Sequence, residues 1–171
     1  MRAVQDEMEV KKRRILVSEM MADRSQFRSE WVHDKGWRVV PVETGMSFSE
    51  DDIKNIVSGL KGFGCSECFA IATEALEPLP MCYSLEVTEE DFREFNRECG
   101  LFWFLITDDQ RSWAISCNNT YNLFAGEPEL LEAVLGKSIE DARAEYLSFA
   151  TSVAKEPDEP MLQVARHYAA L

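Results

Sequence analysis

Apolar residues return at helical intervals over residues 50–61, where Ile53, Ile56, Val57 and Leu60 fall at i, i+3, i+4 and i+7 and line one face. Ser49 precedes them as an N-cap, able to accept an otherwise unpaired backbone N–H of the first turn. Phe48 is placed to staple onto Ile53, and Gly62 and Gly64 stop the helix. Residues 89–99 repeat this grammar, with Val87 before the cap, Thr88 as the cap, Phe92 as the staple partner and Gly100 as the stop. Both helices open on three acids, Glu50-Asp51-Asp52 and Glu89-Glu90-Asp91, at the positive end of the helix dipole.

Between and after these helices the pattern becomes that of strands. Phe69–Thr73 and Cys82–Val87 form a pair across a loop at Leu76–Pro80 that carries Pro78 and Pro80. Leu101–Thr107 is apolar throughout, as a strand buried on both faces should be. Asp108–Arg111 turns the chain into Ser112–Cys117, and Asn118-Asn119 suits a tight turn with positive φ before Tyr121–Phe124, which completes a meander. Gly36–Val42 is a further strand, and because proline donates nothing to a ladder, Pro41 assigns it to an edge or marks a strand end.

The N-terminal stretch 4–33 has the apolar content of a long helix, but its spacing is irregular and predicts a break near Asp23–Ser25. Helices also follow over 127–135, 139–154 and 161–171, the last set off by the Pro-rich break Glu156–Pro160. FSEDDI with CFAIATE and VTEEDF with FWFLITDD run in the same order, which suggests two copies of a helix–hairpin unit. The expected fold is α+β: one antiparallel sheet of about five to six strands, with helices on one face or at its ends. An N-terminal helical segment (1–35), a core (36–155) and a C-terminal helix (156–171) then make one domain, which suits a chain of 171 residues.

Charge changes this picture, because it is uneven. Residues 1–40 hold 9 Lys/Arg against 7 Asp/Glu, whereas 41–171 hold 9 against 24, giving the net −13 of the whole chain. Such an excess disfavours a nucleic-acid ligand, which requires clustered bases, and favours a basic protein partner. The single basic run, Lys11–Arg14, reads as a solvated helix face or as a dock for an acidic surface, including this protein's own. No stretch is apolar enough to span a membrane, the N-terminus does not read as a secretory signal, and the odd number of cysteines (5) suits a reducing cytoplasm.

Motifs for chemistry are sparse. Cys65 and Cys68 form a C-x-x-C, but it follows a helix and precedes a strand, whereas a redox pair needs a helix N-terminus. Zinc would need a second such pair. The two histidines, His33 and His167, lie near opposite ends of the chain, and no phosphate-binding glycine loop precedes a helix. Neither metal nor cofactor is expected. The remaining candidates are acidic: Glu50, Asp51, Asp52, Glu89, Glu90, Asp91, Asp108 and Asp109 as one negative surface, with Trp103, Trp113 and Tyr121 as an aromatic pocket. The expected function is a cytoplasmic, non-enzymatic domain that masks a basic protein, similar in size, charge and class to immunity proteins and antitoxins. A small-molecule module built on the aromatic pocket is the alternative, and the N-terminal helix is the candidate contact for a homodimer.

Overall fold

The structure, a computed structural model, describes residues 1–43, 47–76 and 80–169. The chain begins with β1 (Arg2–Ala3), α1 (Glu7–Met20), α2 (Ser29–Lys35) and β2 (Arg38–Glu43). It continues through α3 (Glu50–Gly62), the hairpin β3 (Glu67–Ala72) and β4 (Cys82–Glu86), and α4 (Glu89–Cys99). The meander β5 (Phe104–Thr107), β6 (Trp113–Cys117) and β7 (Tyr121–Gly126) follows, then α5 (Pro128–Leu135), α6 (Ile139–Val153) and α7 (Pro160–Ala169). Pro78, within the expected β3–β4 loop, lies outside the described residues.

The fold is a single α+β domain with one open antiparallel sheet, ordered β1-β4-β3-β5-β6-β7-β2. Six of the seven strands coincide with those expected; the seventh, β1, is two residues long and pairs with β4 through Arg2↔Ser84 and Ala3↔Tyr83. Its brevity leaves no periodicity to detect. Pro41 does lie on an edge strand, since β2 pairs only with β7. The two helix–hairpin units are α3–β3–β4 and α4–β5–β6. Their first strands, β3 and β5, pair antiparallel at the centre, with β4 and β6 outside them, as a local two-fold would arrange them.

Helices cover both faces of this sheet, not one. Every residue of β5, β6 and β7 is buried, so neither face can meet water. Strand alternation sends Phe104, Ile106, Ile115 and Phe124 into a core roofed by α3, α4 and α5. It sends Ile71, Leu105, Leu123 and Ala125 into a second core roofed by α1, α2 and α7. The eleven-residue α4 and the thirteen-residue α3 start as the sequence predicts: Thr88 accepts from the Asp91 N–H, and Ser49 and Asp52 form a reciprocal capping box. Helix α6 wraps the edge strand, giving Ile139 and Ala142 to one core and Tyr146 and Ala150 to the other. Its Arg143 donates from Nη2 to the Val39 carbonyl at 2.9 Å, satisfying part of the free edge.

The stretch 4–33 breaks near Asp23–Ser25, as its irregular spacing predicts, and two other local expectations change. The break is a loop in which the Asp23 carboxylate accepts from the Ser25 and Gln26 N–H groups at 2.7 and 2.8 Å. Ser116 fixes this loop to the sheet by donating to the Ser25 carbonyl at 2.8 Å. Strand β5 starts only at Phe104, with Leu101 55% exposed, because the chain is still leaving α4 there. The Asn118-Asn119 turn does not use positive φ; Asn118 instead accepts from the Thr120 and Tyr121 N–H groups through its side chain.

Helices α3 and α5 pack backbone against backbone at Gly59. A Cβ on Gly59 would lie 2.7 Å from Val134 N and 2.8 Å from Ala133 C, both backbone atoms that cannot yield as a flexible side chain would. Gly59→Ala gains helix propensity but forces these helices apart. The net expected cost is about 1–3 kcal/mol, read as a lower urea midpoint at unchanged m-value; an unchanged or raised midpoint would contradict this packing.

Candidate functional site

Seven of the eight acids singled out by sequence have partners within the described residues. Glu50 and Glu89 are brought together by Arg93, whose Nη2 donates to Glu50 Oε2 at 2.8 Å and to Glu89 Oε2 at 2.6 Å. Its Nε reaches Glu50 as well, and this pairing holds the Glu50 carboxyl below the usual carboxylate range. Asp51 pairs with Lys54 and Asp52 is occupied by Ser49, both at the start of α3. Asp91 accepts from the N-terminal amine at 2.5 Å and from the Glu86 N–H at 2.8 Å. Asp108 binds Ser112 N at 2.8 Å and the Ser112 hydroxyl, closing the β5–β6 turn. Among the described residues Glu90 alone of the eight has no hydrogen-bonded or ion-paired partner, and it is exposed.

Strand register assembles a different acidic site. Glu67, at the start of β3, faces Glu86, at the end of β4. On the other side Phe69 pairs with Thr107, which precedes Asp108, and Trp113 pairs with Gly126, which precedes Glu127. At one end of the sheet, β4, β3, β5 and β7 therefore carry or lead into Glu86, Glu67, Asp108-Asp109 and Glu127, with Arg2 of β1 and Arg38 of β2 flanking them at the two edges. The start of α4, with Glu90 and Asp91, stands at the same end, where Asp91 and Asp108 both act on buried Cys68. Sequence reasoning missed Glu67, Glu86 and Glu127 because each is a lone acid at a strand end, and only the register sets them side by side.

Within this rim lies a cleft of about 290 Å³ between the α3–β3 loop, the β5–β6 turn and the first turn of α5. It is lined by Phe63, Cys65, Glu67, Asp108, Asp109 and Trp113, among others. Two of its wall residues, Phe69 and Asp109, also bind the protein's own Arg13. Arg13, buried although it belongs to the basic run, places its guanidinium 3.4 Å above the Phe69 ring and ion-pairs with Glu9 and with exposed Asp109. The acidic surface on which this run docks is thus partly the protein's own. That bond holds the Asp109 carboxyl below its ordinary value.

The aromatic trio is dispersed. Trp113 faces the core under α3, α4 and α5, whereas Tyr121 lies in the opposite core. Trp103 precedes β5 at the far end of that strand from Trp113, half-buried beneath the Arg24 guanidinium at 3.9 Å. The five thiols are free. Burial pushes the Cys65 thiol up, and it raises the Cys68 thiol well above the ordinary range. His33 and His167 lie on α2 and α7, in the layer across the sheet from Cys65 and Cys68. Among the described residues no three His, Cys, Asp or Glu side chains gather as metal ligands, and no helix is long and apolar enough to cross a membrane.

No protein family matches this chain, and neither a curated protein nor a solved structure does so.

Two expectations test this geometry. Asp109 contributes most above the ordinary carboxylate pKa, and its contribution is lost as pH falls through its lower folded value. Asp109→Asn should therefore cost roughly 0.5–1 kcal/mol at neutral pH, an amount limited by solvent exposure, and nothing in acid where both proteins are uncharged at this position. Urea titrations at both pH values measure the difference. For the thiols, an aromatic disulfide reagent should modify one group in the native protein, at Cys65, and all five after unfolding. Cys65→Ser should abolish the native reaction; a second reactive native thiol would contradict the packing of Cys68, Cys82, Cys99 and Cys117.

Proposed function

We propose that this protein is an interaction domain that binds a basic protein and masks it, in the manner of immunity proteins and antitoxins. The observation that carries this reading is the acidic rim at one end of the sheet, where Glu86, Glu90 and Glu127 are exposed without a basic partner among the described residues. The helix layers add to it. Helices α3, α4 and α5 hold ten Asp/Glu against four Lys/Arg, whereas α1, α2 and α7 hold five against six. The molecule is therefore polar across its sheet, and a cationic partner is steered toward one side. Arg13 on Phe69 and Asp109 supplies the local pattern for an incoming guanidinium: an aromatic face below and a carboxylate beside it.

On this reading the protein acts by occlusion rather than by catalysis. Free, mostly buried thiols suit a reducing cytoplasm. The inner face of α1 is spent on its own domain through Leu16 and Met20, so a homodimer through that helix would have to use its outward face, which exposes Met8 and Ile15.

Capture from the source cell's lysate, at about 0.05 M and about 0.5 M salt, tests the proposal through charge screening. One basic protein should be retained in stoichiometric amount at low salt and lost at high salt. The triple variant Glu67→Gln/Glu86→Gln/Glu127→Gln should lose it at low salt as well, while Glu156→Gln/Glu159→Gln, in the α6–α7 connection, should retain it. Recovery of the protein alone, or a partner indifferent to the triple variant, would overturn the reading.

A further inference from the structure

A second cleft, of about 220 Å³, lies away from the acidic rim, between the first turn of α3, the end of α5 and the middle of α6. Val42 and Phe124 of the sheet border it, as do Ile56, Leu135 and Ala142 of the helices. Its polar groups are Glu43, Asp52, Glu145 and Lys137, with Tyr146 also at its border. Lys137 Nζ is bound to Glu145 Oε2 at 2.5 Å, which neutralises that carboxylate. The Asp52 carboxylate is held by the Ser49 N–H and hydroxyl, a capping arrangement that brings no positive charge. Glu43 has no basic partner among the described residues. Two carboxylates thus remain without a counter-cation beside an apolar lining. Tyr146, 1% exposed, keeps a buried hydroxyl with no hydrogen-bond partner, which is uncommon in a packed interior.

We propose that this cleft binds a small alkyl cation, a single ammonium or guanidinium carried on a short apolar chain. The unpaired carboxylates of the cleft, Glu43 and Asp52, disfavour an anion, and an uncharged apolar ligand would strip water from them without compensation. A cation on an alkyl stem satisfies both parts: methylene groups cover Ile56, Phe124 and Leu135, and the head reaches Glu43 and Asp52. The volume equals roughly seven water molecules at about 30 Å³ each, room for a stem of about five carbons with its head group. This site is independent of the masking role, since it uses none of the acidic-rim residues.

The test is an NMR titration of the ¹⁵N-labelled full chain with pentylammonium, with 1-pentanol and pentanoate as matched controls of neutral and negative charge. Pentylammonium should give saturable shifts confined to the amides around Glu43, Asp52, Lys137 and Ala142. Pentanol should bind at least about fivefold more weakly and pentanoate not at all. Glu43→Gln, an exposed substitution at a strand end, should weaken pentylammonium at least about threefold and leave pentanol unchanged. The charge-independent part is tested by Ala142→Leu, which fills the cleft and should weaken both ligands. If that variant does not fold, the Glu43→Gln comparison decides alone. Absence of saturable shifts, shifts centred elsewhere, or equal affinity for pentanol and pentylammonium would overturn the proposal.

Discussion

A sheet whose central strands have no polar face must be covered twice, and the rest of this structure answers that requirement. β5, β6 and β7 are buried along their whole length, with Phe104, Ile106 and Ile115 on one side and Leu105 and Leu123 on the other. Each such side chain is stabilised by roughly 1.5–3 kcal/mol on leaving water, but only if a helix layer meets it. The upper layer is drawn in until the α3 and α5 backbones touch at Gly59. The lower layer is built from a chain that must reverse between α1 and α2, and Asp23 supplies the turn. Helix α6 covers the sheet edge at β2.

Electrostatics follows from this layering. The acids at the helix starts complement helix dipoles and are further occupied by caps or by Arg93, so most of them are structural. Arg13 does the equivalent across layers: it leaves the exposed face of its basic run and ties α1 to β3 and to the β5–β6 turn. Acids without a basic partner also stand at the ends of strands, Glu86 and Glu127 among them. There the backbone emerges from the sheet, side chains face water, and neighbouring strands deliver their terminal residues about 5 Å apart, close enough for single acids to act together. This is why the functional reading moves from the helix starts to the sheet end while its chemistry stays the same.

Much of the fold was legible. Ser49 and Thr88 marked helix starts to the residue, the meander through Phe124 followed from its turns, and Pro41 identified an edge. These signals are local: a cap, a turn and a proline act within a few residues of themselves. The candidate site was less legible. Trp103 and Trp113 look like neighbours on adjacent strands, yet the register sets them at opposite ends of the hairpin. Arg13 is indistinguishable in sequence from Lys11, Lys12 and Arg14, and only the approach of Phe69 and Asp109 selects it.

By itself the sequence determined most of the helices and every strand but β1, that the sheet is antiparallel, and that acid dominates after residue 40. Each follows from spacing, composition or turn chemistry, which are written along one dimension. The tertiary structure alone decided that β3 pairs with β5, that helices cover both faces, and that Glu67, Glu86, Asp108 and Glu127 share one rim. Those are contacts between residues far apart in the chain. They are fixed by burying two apolar faces at once, a condition that no single segment satisfies or records.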